Sequence, residues 1–195
     1  MTEADKMKNG VLYVASDTQL YQKRQRAKEL LFDYHALRPG QQREQKEILI
    51  KLFGKIGEQF SIERPFYCDY GANIFIGDHF YANYNCVVLD GAKVKIGNHV
   101  LFGPNVSLFT AGHPIHYQLR EQELEFALPI TIADHVWIGG GSIVNPGVNI
   151  GKYSVIGSGS VVTKSLPEGV VAAGNPCRII REITREDLDR NQWNR

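Results

Sequence analysis

Histidines are the side chains of this sequence best suited to acid–base chemistry at neutral pH, and six are present. Two of them, His113 and His116, lie in the stretch Ala-Gly-His-Pro-Ile-His over residues 111–116. A glycine before and a proline after His113 predict a rigid, exposed corner at this imidazole. An imidazole held there can take a proton from a hydroxyl group, so His113 is a candidate general base. A simple surface histidine fits the same pattern.

Three other histidines share one position relative to the aliphatic residues around them. His79, His99 and His135 each follow an isoleucine by three residues. A metal site would need these imidazoles to converge on one point, whereas the shared position favours a solvated edge. His35 lies near the end of a predicted helix and is interpreted as a surface or helix-end residue.

The sequence contains no motif for a catalytic nucleophile. It has no Gly-x-Ser-x-Gly stretch, and its three cysteines, Cys68, Cys86 and Cys177, show no Cys-x-x-Cys spacing. We expect reduced, packed thiols and a cytosolic setting, although Cys177 precedes Arg178 and could be reactive. Direct transfer promoted by a base is therefore favoured over a covalent enzyme intermediate.

Basic residues are scarce in the last third of the chain. Only Lys152, Lys164, Arg178 and Arg181 occur between Ile130 and Arg181. Three of the four lie close to the C-terminus, where they would suit a polyanionic ligand such as a nucleotide phosphate. Solubilising surface charge is the alternative interpretation.

Aliphatic residues recur at every sixth position in the second half of the chain. A period of six fits neither a helix nor a continuous strand, but it fits a short strand followed by a corner. Three such units form one triangular coil of about 18 residues, so the repeat predicts a parallel β-helix. A charged loop over residues 111–129 interrupts it and is long enough to suggest a function. The longest in-phase series is Ile132, Ile138, Val144, Ile150, Ile156 and Val162.

The segments on either side of the repeat differ in character. Residues 16–19 predict a capping box for one helix, and a second helix is predicted from about residue 41 to residue 53. A short C-terminal helix is predicted from Thr184. The predicted organisation is a helical segment over residues 1–60, a β-helix over residues 61–183 and a tail over residues 184–195.

Composition limits the possible partners. The chain has 195 residues, 43% of them hydrophobic, and a formal net charge of +1. Such a balance argues against a broad nucleic-acid surface and a polybasic membrane patch. No apolar run approaches the roughly 20 residues that cross a bilayer, and the polar first ten residues do not resemble a signal peptide. We therefore expect a cytoplasmic protein that binds neither nucleic acid nor membrane.

The combination of a helical first segment, hexapeptide repeats and a histidine loop is specific. It closely resembles the maltose and galactoside O-acetyltransferases, a branch of the hexapeptide-repeat acyltransferases that includes the nodulation acetyltransferases. The resemblance covers nearly the whole chain. Its motifs lie at residues 24–27, 69–74, 80–85, 112–116, 136–139, 145–148, 162–164 and 173–178.

The resemblance implies a mainly β fold, a left-handed parallel β-helix that assembles as a homotrimer with active sites between subunits. It implies acetyl-CoA as the acetyl donor, a sugar hydroxyl as the acceptor and no metal. His113 matches the family's catalytic base, and Asn83 matches the residue that orients the reacting centre. The positions matching acceptor contacts are Asp69, Asn83 and Asp17, and those matching coenzyme A contacts are Gly140, Ser158, Thr163, Lys164, Arg178 and Arg181.

Departures from the family pattern fall mainly on the acceptor side. The register at Asp17 is ambiguous by about two residues, and Asp90-Gly91 stands where some relatives have two acidic residues. The natural acceptor, a maltose-, glucose- or galactoside-like sugar, therefore stays open, with an antibiotic hydroxyl as an alternative. Two further alternatives are a zinc enzyme of the carbonic-anhydrase type and a trimeric scaffold without catalysis.

Overall fold

The computed structural model describes residues 1–189. The α-helices of this part are α1 (Glu3–Lys8), α2 (Thr18–Ala36), α3 (Gln42–Leu52) and α4 (Tyr117–Arg120), and a 3₁₀ helix spans Arg185–Leu188. The strands are β1 (Tyr13–Val14), β2 (Phe60–Ile62), β3 (Phe66–Cys68), β4 (Ile74–Ile76), β5 (Phe80–Ala82), β6 (Cys86–Leu89), β7 (Val94–Ile96), β8 (Leu101–Phe102), β9 (Ser107–Phe109), β10 (Ala111–Gly112), β11 (Leu124–Ala127), β12 (Ile130–Ile132), β13 (Trp137–Ile138), β14 (Ile143–Val144), β15 (Asn149–Ile150), β16 (Val155–Ile156), β17 (Val161–Val162), β18 (Val170–Ala173) and β19 (Arg178–Glu182).

Three sheets of stacked strands form the walls of a parallel β-helix of about six coils, which confirms the predicted fold class. The four-stranded sheet has the order β15-β12-β7-β4, and the five-stranded sheet has the order β17-β14-β9-β6-β3. The seven-stranded sheet has the order β19-β18-β16-β13-β8-β5-β2, in which only β19 runs antiparallel. The in-phase aliphatic residues point inward and are buried, as the period of six predicts.

Successive coils turn at three corners, which are named here by their residues. The histidine corner joins the four- and seven-stranded sheets and contains His79, His99 and His135. The glycine corner joins the seven- and five-stranded sheets and includes residues 83–85, 103–105, 139–141 and 157–159. The loop corner joins the five- and four-stranded sheets and includes residues 90–93, 110–129, 145–148 and 163–165.

Helices α2 and α3 pack against the first coils. Leu31 and Tyr34 of α2 and Leu52 of α3 are buried in the same core cluster as Phe66 of β3. The Tyr34 hydroxyl donates a hydrogen bond of 2.6 Å to the Ile62 carbonyl. The helical segment therefore shields the apolar end of the coil from water.

The predicted capping box for α2 is wrong by one residue. The N-cap is Asp17, whose carboxylate accepts hydrogen bonds from the backbone N–H groups of Gln19 and Leu20 at 3.0 and 3.1 Å. The Ser16 hydroxyl bonds Glu123 instead. A carboxylate oxygen can accept from two backbone donors, which makes aspartate an effective cap.

Other element boundaries differ slightly from the predictions. Helix α3 spans Gln42–Leu52 rather than about 41–53, and the short α1 was not predicted. The predicted C-terminal helix is a 3₁₀ helix of four residues that Thr184 caps, and the last six residues of the predicted tail lie outside the described part. No helix among residues 1–189 is both long and apolar enough to cross a membrane.

Candidate functional site

The loop at residues 111–129 is an ordered element that places His113. It folds back as strands β10 and β11, and β11 also pairs with β1 in a three-stranded antiparallel sheet. Gly112 lies opposite Phe126, and a Cβ atom at Gly112 would come within 2.5 Å of the Phe126 ring. Glycine therefore precedes His113 because the two strands approach closely. The imidazole follows directly and is 60% exposed.

A cavity of about 500 Å³ lies beside this imidazole. Its walls come from β1, the start of α2, the turn after β3, and the β10–β11 loop. The lining groups include an imidazole, carboxylates, a guanidinium and phenol hydroxyls, all of which form hydrogen bonds. The lining residues used below are Tyr13, Arg24, Asp69, Tyr70, His113 and Glu125.

Glu125 is the acidic partner of the histidine. One oxygen, Oε1, lies 3.8 Å from His113 Nε2, and the other accepts a hydrogen bond of 2.8 Å from the Tyr13 hydroxyl. Burial, together with Glu125, raises the pKa of Tyr13, so this hydroxyl stays a donor. Tyr13 thereby fixes the carboxylate that faces His113.

Asp69 and Arg24 supply opposite charges to the same cavity. The Arg24 guanidinium donates to the Tyr70 hydroxyl at 2.8 Å and to the Ala15 carbonyl at 2.9 Å, so its position is fixed. Burial raises the pKa of Asp69, while the nearby Arg24 opposes this shift and Glu125 adds to it. Asp69 and Arg24 therefore place a carboxyl group and a guanidinium in the cavity that His113 also lines.

Asp17 occupies a different position from the other predicted acceptor contacts. Its Oδ1 atom caps α2, and the neighbouring Ala15 and Ser16 line the cavity.

Sequence reasoning missed Tyr13, Arg24 and Glu125 as members of the site. The signals available were a short polar–apolar alternation around Glu125 and the spacing of Arg24 on α2, neither of which indicates a partner.

Asn83 lies at the glycine corner, on the far side of the five-stranded sheet from His113. Its side-chain oxygen accepts a hydrogen bond of 2.8 Å from the Tyr84 N–H. Gly140 and Ser158 lie at the same corner, where the Gly140 carbonyl accepts from the Gly159 N–H at 2.9 Å. One side of the coil, four to five residues at about 3.3 Å each, is roughly 15 Å. Within one chain, Asn83 therefore lies far from His113.

The predicted coenzyme A contacts near the C-terminus occupy two places. Thr163 and Lys164 are exposed at the loop corner, which also bears His113. Arg178 and Arg181 are exposed on β19, at the edge of the seven-stranded sheet. Arg181 forms two hydrogen bonds with the Asp187 carboxylate, at 2.6 and 2.8 Å.

The histidine corner forms a stacked column. The ring centroids of His79 and His99 are 4.3 Å apart with 10° between the ring planes, and those of His99 and His135 are 4.8 Å apart with 3°. Nitrogen lone pairs lie in the ring plane, so parallel rings direct them side by side rather than toward one ion. Within residues 1–189, no group of three or more histidine, cysteine or acidic side chains is placed to hold a metal ion.

Comparisons with known proteins agree with this architecture. Residues 6–57 match the maltose acetyltransferase hexapeptide capping motif, and residues 129–164 match the bacterial transferase hexapeptide family of six repeats. The galactoside O-acetyltransferase of Escherichia coli is 43% identical over 96% of this chain and 92% of its own length.

Two solved structures are similar over nearly the whole chain. A maltose O-acetyltransferase from Clostridium difficile superposes with a TM-score of 0.93 at 45% identity, over 95% of this chain and 99% of its own. A galactoside acetyltransferase in complex with coenzyme A gives a TM-score of 0.93 at 41% identity, over 96% of this chain and 94% of its own.

Proposed function

The chain belongs to the maltose and galactoside acetyltransferases of the hexapeptide-repeat family, and we propose that it transfers an acetyl group from acetyl-CoA to a sugar hydroxyl. The observation that carries the proposal is His113, exposed at a cavity of hydrogen-bonding groups with a carboxylate 3.8 Å from its ring. This is the arrangement that a general base for a hydroxyl needs.

The reaction follows from the chemistry of the two substrates. A thioester is already activated, whereas a sugar hydroxyl is a weak nucleophile. His113 removes the hydroxyl proton as the oxygen attacks the acetyl carbonyl carbon, and the Glu125 carboxylate stabilises the imidazolium that forms. The tetrahedral intermediate then collapses, the carbon–sulfur bond breaks, and the departing thiolate of coenzyme A takes the proton from His113.

The oxyanion of the tetrahedral intermediate needs a hydrogen-bond donor. The amide of Asn83, or a backbone N–H group near it, is proposed for this role. Because Asn83 and His113 lie on different corners of one chain, the two meet when the glycine corner of one subunit faces the loop corner of another. This requirement supports a homotrimer with active sites between subunits.

Exposed apolar side chains on the seven-stranded sheet also support assembly. Leu101 and Trp137 are neighbours on the outer face of the seven-stranded sheet, and each is 46% exposed. Exposed apolar side chains in contact with each other are typical of an interface. The partner proposed for this surface is a second copy of the chain.

The acceptor is proposed to enter the cavity beside His113. Asp69, Arg24 and Tyr70 offer acceptors and donors there, which suits the adjacent hydroxyl groups of a maltose-, glucose- or galactoside-like sugar. Asp17 caps α2 and so fixes the start of this helix beside the cavity. We also propose that Asp17 contacts the sugar directly.

Coenzyme A is proposed to bind where the glycine corner of one subunit faces the loop corner of another. It would contact Gly140 and Ser158 at the glycine corner and Thr163 and Lys164 at the loop corner, with its phosphates on Arg178 and Arg181. The free, buried cysteines and the need for acetyl-CoA support a cytoplasmic location.

The test is the release of coenzyme A thiol from acetyl-CoA with a panel of maltose, glucose, galactosides and hydroxyl-bearing antibiotics. We expect turnover with a sugar, and a kcat that falls by about 10²-fold or more in His113→Ala. His116→Ala is the matched control in the same loop and should keep its turnover. No turnover with any sugar, or near-normal kcat in His113→Ala, would overturn the proposal.

A further inference from the structure

Asp90 is a completely buried carboxylate at the loop corner. It follows β6, which pairs with β3 in parallel so that Val88 lies opposite Cys68. Asp90, two residues after Val88, therefore lies directly beneath the turn formed by residues 69–73, which follows Cys68 in the neighbouring coil. Burying a carboxylate is unfavourable unless hydrogen bonds compensate it.

The compensating donors are backbone N–H groups of that turn. One oxygen, Oδ1, accepts from the N–H groups of Asp69 and Tyr70 at 3.0 and 2.8 Å, and Oδ2 accepts from the Asn73 N–H at 3.3 Å. The Asn73 side-chain amide donates to the Asp90 carbonyl at 2.7 Å. The turn is thus folded around one side chain.

The backbone conformation of the turn is restricted by its neighbours. Gly71 at its centre has φ +68°, and a Cβ atom there would come within 2.6 Å of the Leu52 side chain. The Leu52 side chain of α3 packs against one side of the turn, and the Asp90 carboxylate accepts hydrogen bonds from its N–H groups on the other side. Two residues of this turn, Asp69 and Tyr70, line the cavity beside His113.

We propose that Asp90 is a positioning residue that aims Asp69 and Tyr70 at the acceptor sugar. The inference rests on the proposed function. Tyr70 in turn accepts the hydrogen bond from Arg24, so the buried carboxylate determines the placement of three cavity groups while touching neither substrate. A neutral side chain of similar shape offers a single acceptor oxygen, and its NH₂ group would face backbone donors.

The kinetic test compares Asp90→Asn with wild type. We expect the KM for the sugar to rise roughly 10-fold or more, because displacing binding groups by about 1 Å is costly, while the KM for acetyl-CoA changes less than about 2-fold. Ser154→Ala is the matched control. Ser154 is equally buried, accepts from the Val170 N–H at 3.4 Å and donates to the Pro167 carbonyl at 2.9 Å, away from the cavity.

Ser154→Ala should lower the melting temperature without changing the KM for the sugar. If Asp90→Asn does not fold, Asn73→Ala removes only the amide bond to the Asp90 carbonyl and should raise the same KM by a smaller factor. An unchanged sugar KM, an equal rise in both KM values, or the same kinetic effect from Ser154→Ala would overturn the proposal.

Amide hydrogen exchange provides a readout that does not depend on catalysis. Exchange at residues 69–73 should accelerate in the Asp90 variant, while exchange in β12–β17 stays as in wild type. Unchanged exchange in the turn would overturn the positioning role. Accelerated exchange in a protein that acetylates no sugar would instead overturn the proposed function and leave Asp90 as the residue that holds the turn.

Discussion

The Tyr13 hydroxyl donates a hydrogen bond of 2.8 Å to Glu125 across the antiparallel pair of β1 and β11, where the two residues lie directly opposite each other. This contact joins the helical first segment to the loop that carries His113. Tyr13 and Glu125 are 112 positions apart in sequence, so a distant segment of the chain completes the structure at the loop corner.

Glu125→Gln should lower kcat about 10-fold with little change in the KM for acetyl-CoA. The amide keeps the shape and can still accept from Tyr13, but it no longer stabilises the imidazolium electrostatically. Steady-state kinetics with the best sugar measures the effect. Glu121→Gln, an exposed change in the same loop, is the control and should leave kcat unchanged. Equal kcat values for the two variants would contradict the role of Glu125.

Neutralising both Arg178 and Arg181 should raise the KM for acetyl-CoA by 10-fold or more, because charge-assisted hydrogen bonds to phosphate are strong. The defect should shrink with acetyl-pantetheine, a donor without the adenosine phosphates. Lys152→Ala is the matched control, since this lysine lies at the histidine corner, where it pairs with Glu168 at 3.5 Å. An equal defect with both donors would count against phosphate binding.

Mixing two inactive proteins should restore activity if the sites lie between subunits. His113→Ala and Asn83→Ala chains refolded together should form mixed trimers in which one site draws an intact histidine and an intact asparagine from different chains. Stable trimers of each variant pooled after separate refolding provide the baseline. Mixed trimers without recovered activity, or a fully active monomer in sedimentation, would refute the shared site.

Stability should depend on pH through Asp90. Burial raises the pKa of this carboxyl to about 6 from an ordinary value of 3.8, against the opposing effect of the backbone N–H groups of Tyr70 and Asn73 and with a further upward contribution from Asp69. Between these values the folded chain binds more protons than the unfolded chain. The stabilisation is therefore complete below pH 3.8 and is lost as the pH rises through 6, by about 3 kcal/mol in all.

Chemical denaturation of wild type and Asp90→Asn between pH 4 and 7 measures this contribution. The difference in unfolding free energy between the two proteins, wild type minus variant, should decrease as the pH rises. Subtracting the variant removes the titration of the carboxyls remote from Asp90 that both proteins share. A difference that stays constant over this range would show that Asp90 does not titrate as described.

Local pattern was sufficient to predict the coil. A six-residue unit contains both the strand and the corner that it needs, so the inward aliphatic positions, the sheets and the exposed histidine column follow from spacing alone. The breaks in the repeat likewise marked the loop of His113, and the two main helices followed from their own periodicity. The capping residue of α2 was missed by one position, because Ser16 and Asp17 both have side chains that can cap.

Only the tertiary structure decided which groups surround His113. Glu125, Tyr13 and Asp69 come from separate stretches, as does Asp90, which bonds the turn of Asp69, and their meeting depends on strand pairing and coil stacking over long separations. A single sequence does not encode such pairs as a period or a spacing. The separation of Asn83 from His113 has the same origin, since it depends on which corner of the triangle each residue occupies. Sequence alone therefore determined the coil and marked His113 as a candidate base, while the packing of distant segments determined which groups surround that histidine.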